Sequence, residues 1–172
     1  PPPITYNGND FKDERIRRFV DSHIGRFDIL ALQEVFGLLS NRRDGLIRSA
    51  ALKGLTYSHH SPTPSCFPFP RFLTDGGLVI ISRFPILERD SVDFARGINA
   101  DQLAMKGALY ARIELSTSDS GSRSGFAPAH AHVFTTHLQA DYEKNVHSQS
   151  GGNAPNRAMR RAQLSTLLRF IS

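Results

Sequence analysis

Several side chains in this sequence have the types and placements that phosphate chemistry uses. Glu34 follows the continuous apolar run Ile29, Leu30, Ala31 and Leu32, so a carboxylate stands at the mouth of what reads as a strand covered on both faces. Magnesium prefers hard oxygen ligands, takes only one or two protein carboxylates and leaves the rest of its shell to water and substrate phosphate; one carboxylate at a strand mouth suits that ion. Asn7 ends the short apolar run Ile4 to Tyr6, where its amide could orient a carboxylate, a bound water or a phosphate oxygen without adding charge. His137 closes the run His132, Val133, Phe134, Thr135 and Thr136, and an imidazole there could donate a hydrogen bond to a phosphate or leaving group near neutral pH. Asp101 and Lys106 flank Gln102 to Met105, and a lysine beside a phosphate would neutralise charge developing on oxygen.

Each of these residues also has an ordinary reading. Glu34 could be a helix cap or a hydrated strand end, Asn7 a turn residue before Gly8, His137 a structural histidine, and Asp101 with Lys106 an exposed loop ion pair worth little. The other histidines lack a metal-ligand spacing on one face, so no zinc site is expected.

Helices and strands must bring these residues together. Asp10, Asp13 and Glu14 place negative charge where a helix would begin, Ile16, Phe19, Val20 and Ile24 recur at helical spacing, and Gly25 is a stop. The strand Ile29 to Leu32 follows, then a helix from Arg42 to Leu52 closed by Gly54. The prolines 62, 64, 68 and 70, with Phe67, Phe69 and Phe72, read as an exposed, shaped loop from Ser61 to Asp75. Leu78 to Ser82 and Ile86 to Phe94, joined at Pro85, read as a hairpin. Leu109, Ala111, Ile113 and Leu115 alternate with polar residues, and the strand His132 to His137 is expected to return antiparallel beside them after a Ser/Gly-rich turn. A last helix carries Leu164, Leu167, Leu168 and Ile171 on one stripe, with Arg157, Arg160 and Arg161 facing outward. Strands mixed with helices make a layered α+β domain the expectation.

The totals are compatible with one domain: 172 residues, 40% hydrophobic and 22% charged. A balance of 21 basic to 16 acidic side chains, +5, favours phosphate-bearing partners, whether nucleic acid or an anionic membrane surface. Cys66 is the single cysteine, so no intrachain disulfide is possible. No apolar run reaches the length of a membrane span, so a soluble or peripheral protein is expected.

Taken in order, these segments resemble the endonuclease/exonuclease/phosphatase superfamily over nearly the whole chain. Asp28-Ile29-Leu30-Ala31-Leu32-Gln33-Glu34-Val35-Phe36 is similar to the segment in which that family's metal-binding glutamate ends a core strand. Asp75-Gly76-Gly77-Leu78-Val79-Ile80-Ile81-Ser82-Arg83-Phe84-Pro85-Ile86 resembles its central hairpin, and the double glycine is like that of the neutral sphingomyelinases. Thr5-Tyr6-Asn7, Asp101 to Lys106-Gly107, and Thr136-His137-Leu138-Gln139-Ala140 are similar to further segments of that branch. The resemblance implies a β-sandwich flanked by helices, of the deoxyribonuclease and sphingomyelinase type, over residues 1–172 as a single domain. It also implies Glu34 as a magnesium ligand with Asn7 its partner, His137 as a phosphate or leaving-group contact, and Lys106 as an electrostatic group held by Asp101.

The implied reaction is magnesium-dependent hydrolysis of a phosphodiester by in-line attack of water. Sphingomyelin at a membrane surface, giving ceramide and phosphocholine, is the preferred substrate, and the phenylalanine-bearing loop Phe67 to Phe72 is read first as an aromatic packing loop and second as a membrane contact. The family pattern continues with Gly-Asp-x-Asn and Ser-Asp-His, and neither occurs here. The chain is therefore expected to be the N-terminal part of such a domain, a very poor catalyst by itself, supplying one sheet and part of another with exposed edges. Two rivals stay open. One is a nuclease of the same fold, which the positive charge suits; the other is a non-catalytic domain that binds phosphate, lipid or a partner protein.

Overall fold

The computed structural model describes residues 11–37, 40–65, 71–115, 129–141 and 154–172. Their chain order is α1 (Lys12–Ser22), β1 (Ile29–Leu32), α2 (Arg42–Leu52), β2 (Tyr57–His60), β3 (Val79–Ser82), β4 (Ile86–Asp93), β5 (Gly107–Glu114), β6 (His130–Thr136) and α3 (Ala154–Ile171). Two antiparallel three-stranded sheets result, one ordered β1-β3-β2 and the other β4-β5-β6.

β3 is the strand on which both layers depend. Its sequence, Val-Ile-Ile-Ser, is apolar on alternate positions of both faces, and all four residues are buried. Val79 and Ile81 face α1 and α2, joining Val20, Ile24, Leu30, Leu46, Ala50 and Leu55 in one core. Leu78 before the strand and Ile80 face the second sheet, joining Ile86, Leu109, Ala111 and Ile113 in the other. The alternation read in residues 109–113 is thus the inner face of β5, with Tyr110 and Arg112 turned away. The architecture is the expected α+β sandwich with helices against its outside.

The expected hairpin does not form. β3 pairs with β1 and β2, whereas β4 pairs with β5, so Pro85 marks the place where the chain leaves one sheet for the other. Among the described strands β1 lies at the edge of its sheet, and it is not covered on both faces, since Leu30 is buried but Ala31 is exposed. The Ser61 to Asp75 segment is not simply exposed either, since Ser61, Pro64, Phe72 and Asp75 are buried. α3 departs from its apolar pattern. Leu164, Leu168 and Ile171 are exposed, and the buried side chains of the helix are Asn156 and Gln163. The edge-to-face contact of Phe170 with Phe134 places its last turn against β6.

Candidate active site

β1 and β6 lie in different sheets, and a side-chain hydrogen bond joins their ends. Gln33 Nε2 donates to Thr135 Oγ1 at 2.8 Å, which brings Glu34 beside His137. The Glu34 carboxylate is 3.7 Å from His137 Nε2, and the Glu34 side chain is 70% exposed. Gln33, Glu34, Thr136, His137 and Leu138 line an open depression of ≈ 570 Å³.

Glu34 occupies the left-handed region, φ 61°, a sparsely populated conformation for a residue with a Cβ. The backbone around it is pinned: Val35 N–H donates to Gly77 O at 2.9 Å. Gly77 also has positive φ, 66°, and a Cβ there would sit 2.9 Å from the Phe36 ring and 3.2 Å from Glu34 Cα. The second glycine of the pair therefore has a local reason, which is to let the segment carrying Glu34 lie against residue 77.

His137 is half-buried behind the carboxylate, and Lys106 stands behind it. Lys106 Nζ donates to Leu138 O at 2.7 Å, lies 2.9 Å from Asp101 Oδ1, and is 3.3 Å from His137 Nε2. Asp101 Oδ2 also accepts the Ala140 N–H at 2.7 Å. The pair is not an exposed loop contact, since the Lys106 and Asp101 side chains are only 5% and 10% exposed.

Burial lowers the proton affinity of the His137 ring, and the neighbouring Lys106 ammonium lowers it further, against smaller opposite effects of Glu34 and Asp101. The Lys106 ammonium is directed at Nε2, and Nδ1 is a buried atom with no hydrogen-bond partner among the described residues. Gln139 anchors the loop beyond. Its N–H donates to Gln163 Oε1 at 2.8 Å, its Oε1 accepts the Ile98 N–H at 3.0 Å, and Arg160 donates to its carbonyl at 3.1 Å.

Glu34, His137, Lys106 and Asp101 are thus brought into one chain of contacts. Asn7 lies outside the described residues. Sequence reasoning missed Gln33 and Gln139, whose only signals were their places beside Glu34 and within the His137 segment. Two readings of the surface are decided here: the packing role of Phe72 and the outward face of Arg160. Phe72 is buried, with the Arg71 guanidinium 5.4 Å from its ring centroid, which removes it as a membrane contact; Phe67 and Phe69 lie outside the described residues. Arg160 does not face freely outward but pairs with Asp141 at 2.7 Å.

Comparison with known proteins bears on what this arrangement does. The family model described as "Endonuclease/Exonuclease/phosphatase family" matches residues 4–171. A sphingomyelinase of Dictyostelium discoideum is 36% identical over 163 residues, covering 87% of this chain and 34% of that protein. A sphingomyelinase C of Bacillus cereus is 29% identical over 164 residues, covering 87% of this chain and 41% of the other. The fold is shared with the crystal structure of SmcL, with a TM-score of 0.65 and 24% identity over 92% of this chain and 49% of that one. It is shared as well with a beta toxin mutant from Staphylococcus aureus with bound magnesium ions, with a TM-score of 0.65 and 22% identity over 92% and 51%. The chain spans well under half the length of these two curated relatives.

Proposed function

Because the chain belongs to the endonuclease/exonuclease/phosphatase family, we propose that the protein carrying it hydrolyses a phosphodiester with magnesium, and that sphingomyelin is the substrate, cleaved to ceramide and phosphocholine. The observation that carries this reading is the solvent-open Glu34 carboxylate, 3.7 Å from a half-buried histidine backed by a lysine. Relatives called sphingomyelinases support the choice of substrate.

The residues fit a hard divalent cation. Glu34 would supply a carboxylate ligand, the hard oxygen donor that a cation of this kind takes while leaving much of its shell to water and phosphate oxygens. Magnesium, when bound, screens phosphate charge and stabilises the leaving oxygen.

The rest falls to the chain. Glu34 offers its oxygens across the depression. Gln33 keeps it beside His137 by tying β1 to β6. Asp101 and the Leu138 carbonyl hold Lys106 against the imidazole, where its charge adds to burial in lowering the proton affinity of the ring. An arriving phosphate brings negative charge to Nε2, raises the proton affinity of the ring and favours its donor form. The residues 1–172 act in this reading as one unit, with Asn7 as the partner of the Glu34 ligand.

The test is phosphocholine release from sphingomyelin vesicles. Chelation of magnesium abolishes it, and Glu34→Ala or His137→Ala lowers kcat/KM by about 10²-fold or more. Activity that survives Glu34→Ala sinks the reading, and absence of both phosphocholine release and nucleic-acid cleavage leaves a non-catalytic binding role. Salt-sensitive cleavage of nucleic acid with no phosphocholine release selects the nuclease.

A further inference from the structure

We infer that Asp75 is a positioning residue that sets the Glu34 carboxylate for its metal ion, with Arg43 as its counter-ion, an inference that rests on Glu34 being a metal ligand. Asp75 is 1% exposed. A carboxylate buried to that degree requires hydrogen bonds to each oxygen, and those it makes define its task. Oδ1 accepts the Gly77 N–H at 2.8 Å, and Oδ2 accepts the Gly37 N–H at 2.9 Å. Between these two bonds runs a third, from Val35 N–H to Gly77 O at 2.9 Å. One carboxylate thus staples both sides of the short segment that begins at Glu34.

The staple has something to resist. Glu34 is held at φ 61°, a conformation that costs about 1–3 kcal/mol and persists only where its surroundings enforce it. Release of Gly37 would let Glu34 relax toward ordinary extended backbone and swing its carboxylate away from His137. Arg43, in the first turn of α2, supplies the balancing charge: Nη1 is 3.4 Å from Asp75 Oδ2, and its side chain is 11% exposed. The guanidinium also lies where a Cβ on Gly37 would be, so the segment has been fitted to it. Asp75 is not among the residues lining the depression. Its influence on a metal ion is exerted through backbone alone.

The experiment is Asp75→Asn, read by Mn²⁺ affinity and by amide hydrogen exchange in the same protein. The expected result is an intact far-UV spectrum, Mn²⁺ binding weakened about tenfold, and Gly37 protection lowered about tenfold. Glu34→Ala is expected to remove Mn²⁺ binding while leaving Gly37 protected. Unchanged Mn²⁺ affinity or unchanged Gly37 protection in Asp75→Asn overturns the inference, because a role in stability alone would leave the affinity of the folded protein as it was. Failure of the underlying reading looks different: the parent protein then binds no Mn²⁺, which overturns the metal-positioning role whatever the exchange shows. Should Asp75→Asn fail to fold, Gly37→Ala carries the test, since its methyl group displaces the guanidinium. About threefold weaker Mn²⁺ binding is then expected, and unchanged binding overturns the inference.

Discussion

Asp75 and Asp101 are both buried carboxylates that accept backbone N–H groups at the ends of strands, yet their cations point in different directions. Asp75 binds Gly37 and Gly77, and its partner Arg43 comes from an outer helix without reaching the depression. Asp101 binds Ala140, and its partner Lys106 touches His137. The first arrangement fixes the shape of a segment without charging the pocket. The second fixes a loop and at the same time adds to burial in lowering the proton affinity of a ring.

The comparison makes a stability prediction. Asp101→Leu leaves the Lys106 ammonium buried with a carbonyl and an imidazole as its remaining partners named here, and is expected to cost about 3–5 kcal/mol. Arg43→Leu removes a longer contact, while the Asp75 carboxylate keeps two N–H donors, and is expected to cost only about 1–3 kcal/mol. Urea denaturation of the two variants measures both. Equal costs would mean that the two pairs are energetically alike and the distinction is lost.

A smaller effect sharpens it. The unfolded His137 ring takes up a proton near pH 6.5, its ordinary value, but the folded ring resists until a lower pH because burial and Lys106 oppose the charge. Between those points the unfolded state holds more protons, so this contribution to stability is present above about pH 6.5 and lost as pH falls below it. His59, also lowered by burial, adds a loss of the same sign. His137→Gln is therefore expected to lose less in Tm than the parent between pH 7 and 5. An identical pH slope in the two proteins would show that the folded ring takes up its proton at the same pH as the unfolded one.

Much of this was legible in the sequence where the signal is local. The bounds of α2 and the antiparallel pairing of β5 with β6 follow from apolar periodicity, and the sandwich with its outer helices follows from the motif order. The order Glu34, Asp101, Lys106, His137 also identified the residues that the fold gathers. What sequence could not display is long-range. Pro85 interrupts a strand equally well inside a hairpin or between two sheets, and only the partners of β3 decide which. Tyr57–His60 has no apolar pattern and becomes a strand because β3 offers it an edge. The burial of the Asp101 and Lys106 pair, and the bond from Gln33 to Thr135, depend on segments far apart in the chain.

The crossing at Pro85 also orders events in time. β4 and β5 are joined by residues 94–106, so that pairing closes a short loop and is expected early. Ile29 must find Ser82 across roughly fifty intervening residues, a closure with a larger entropic cost. During synthesis, Glu34 leaves the ribosome long before the strand that will hold it exists. Pulse-labelled hydrogen exchange is expected to protect β4 and β5 before β1; the reverse order would mean that the first sheet nucleates the molecule. The carboxylate proposed as the metal ligand is then among the last groups to reach its place, and the nascent protein passes through a stage with one sheet made and the Glu34–His137 depression not yet formed.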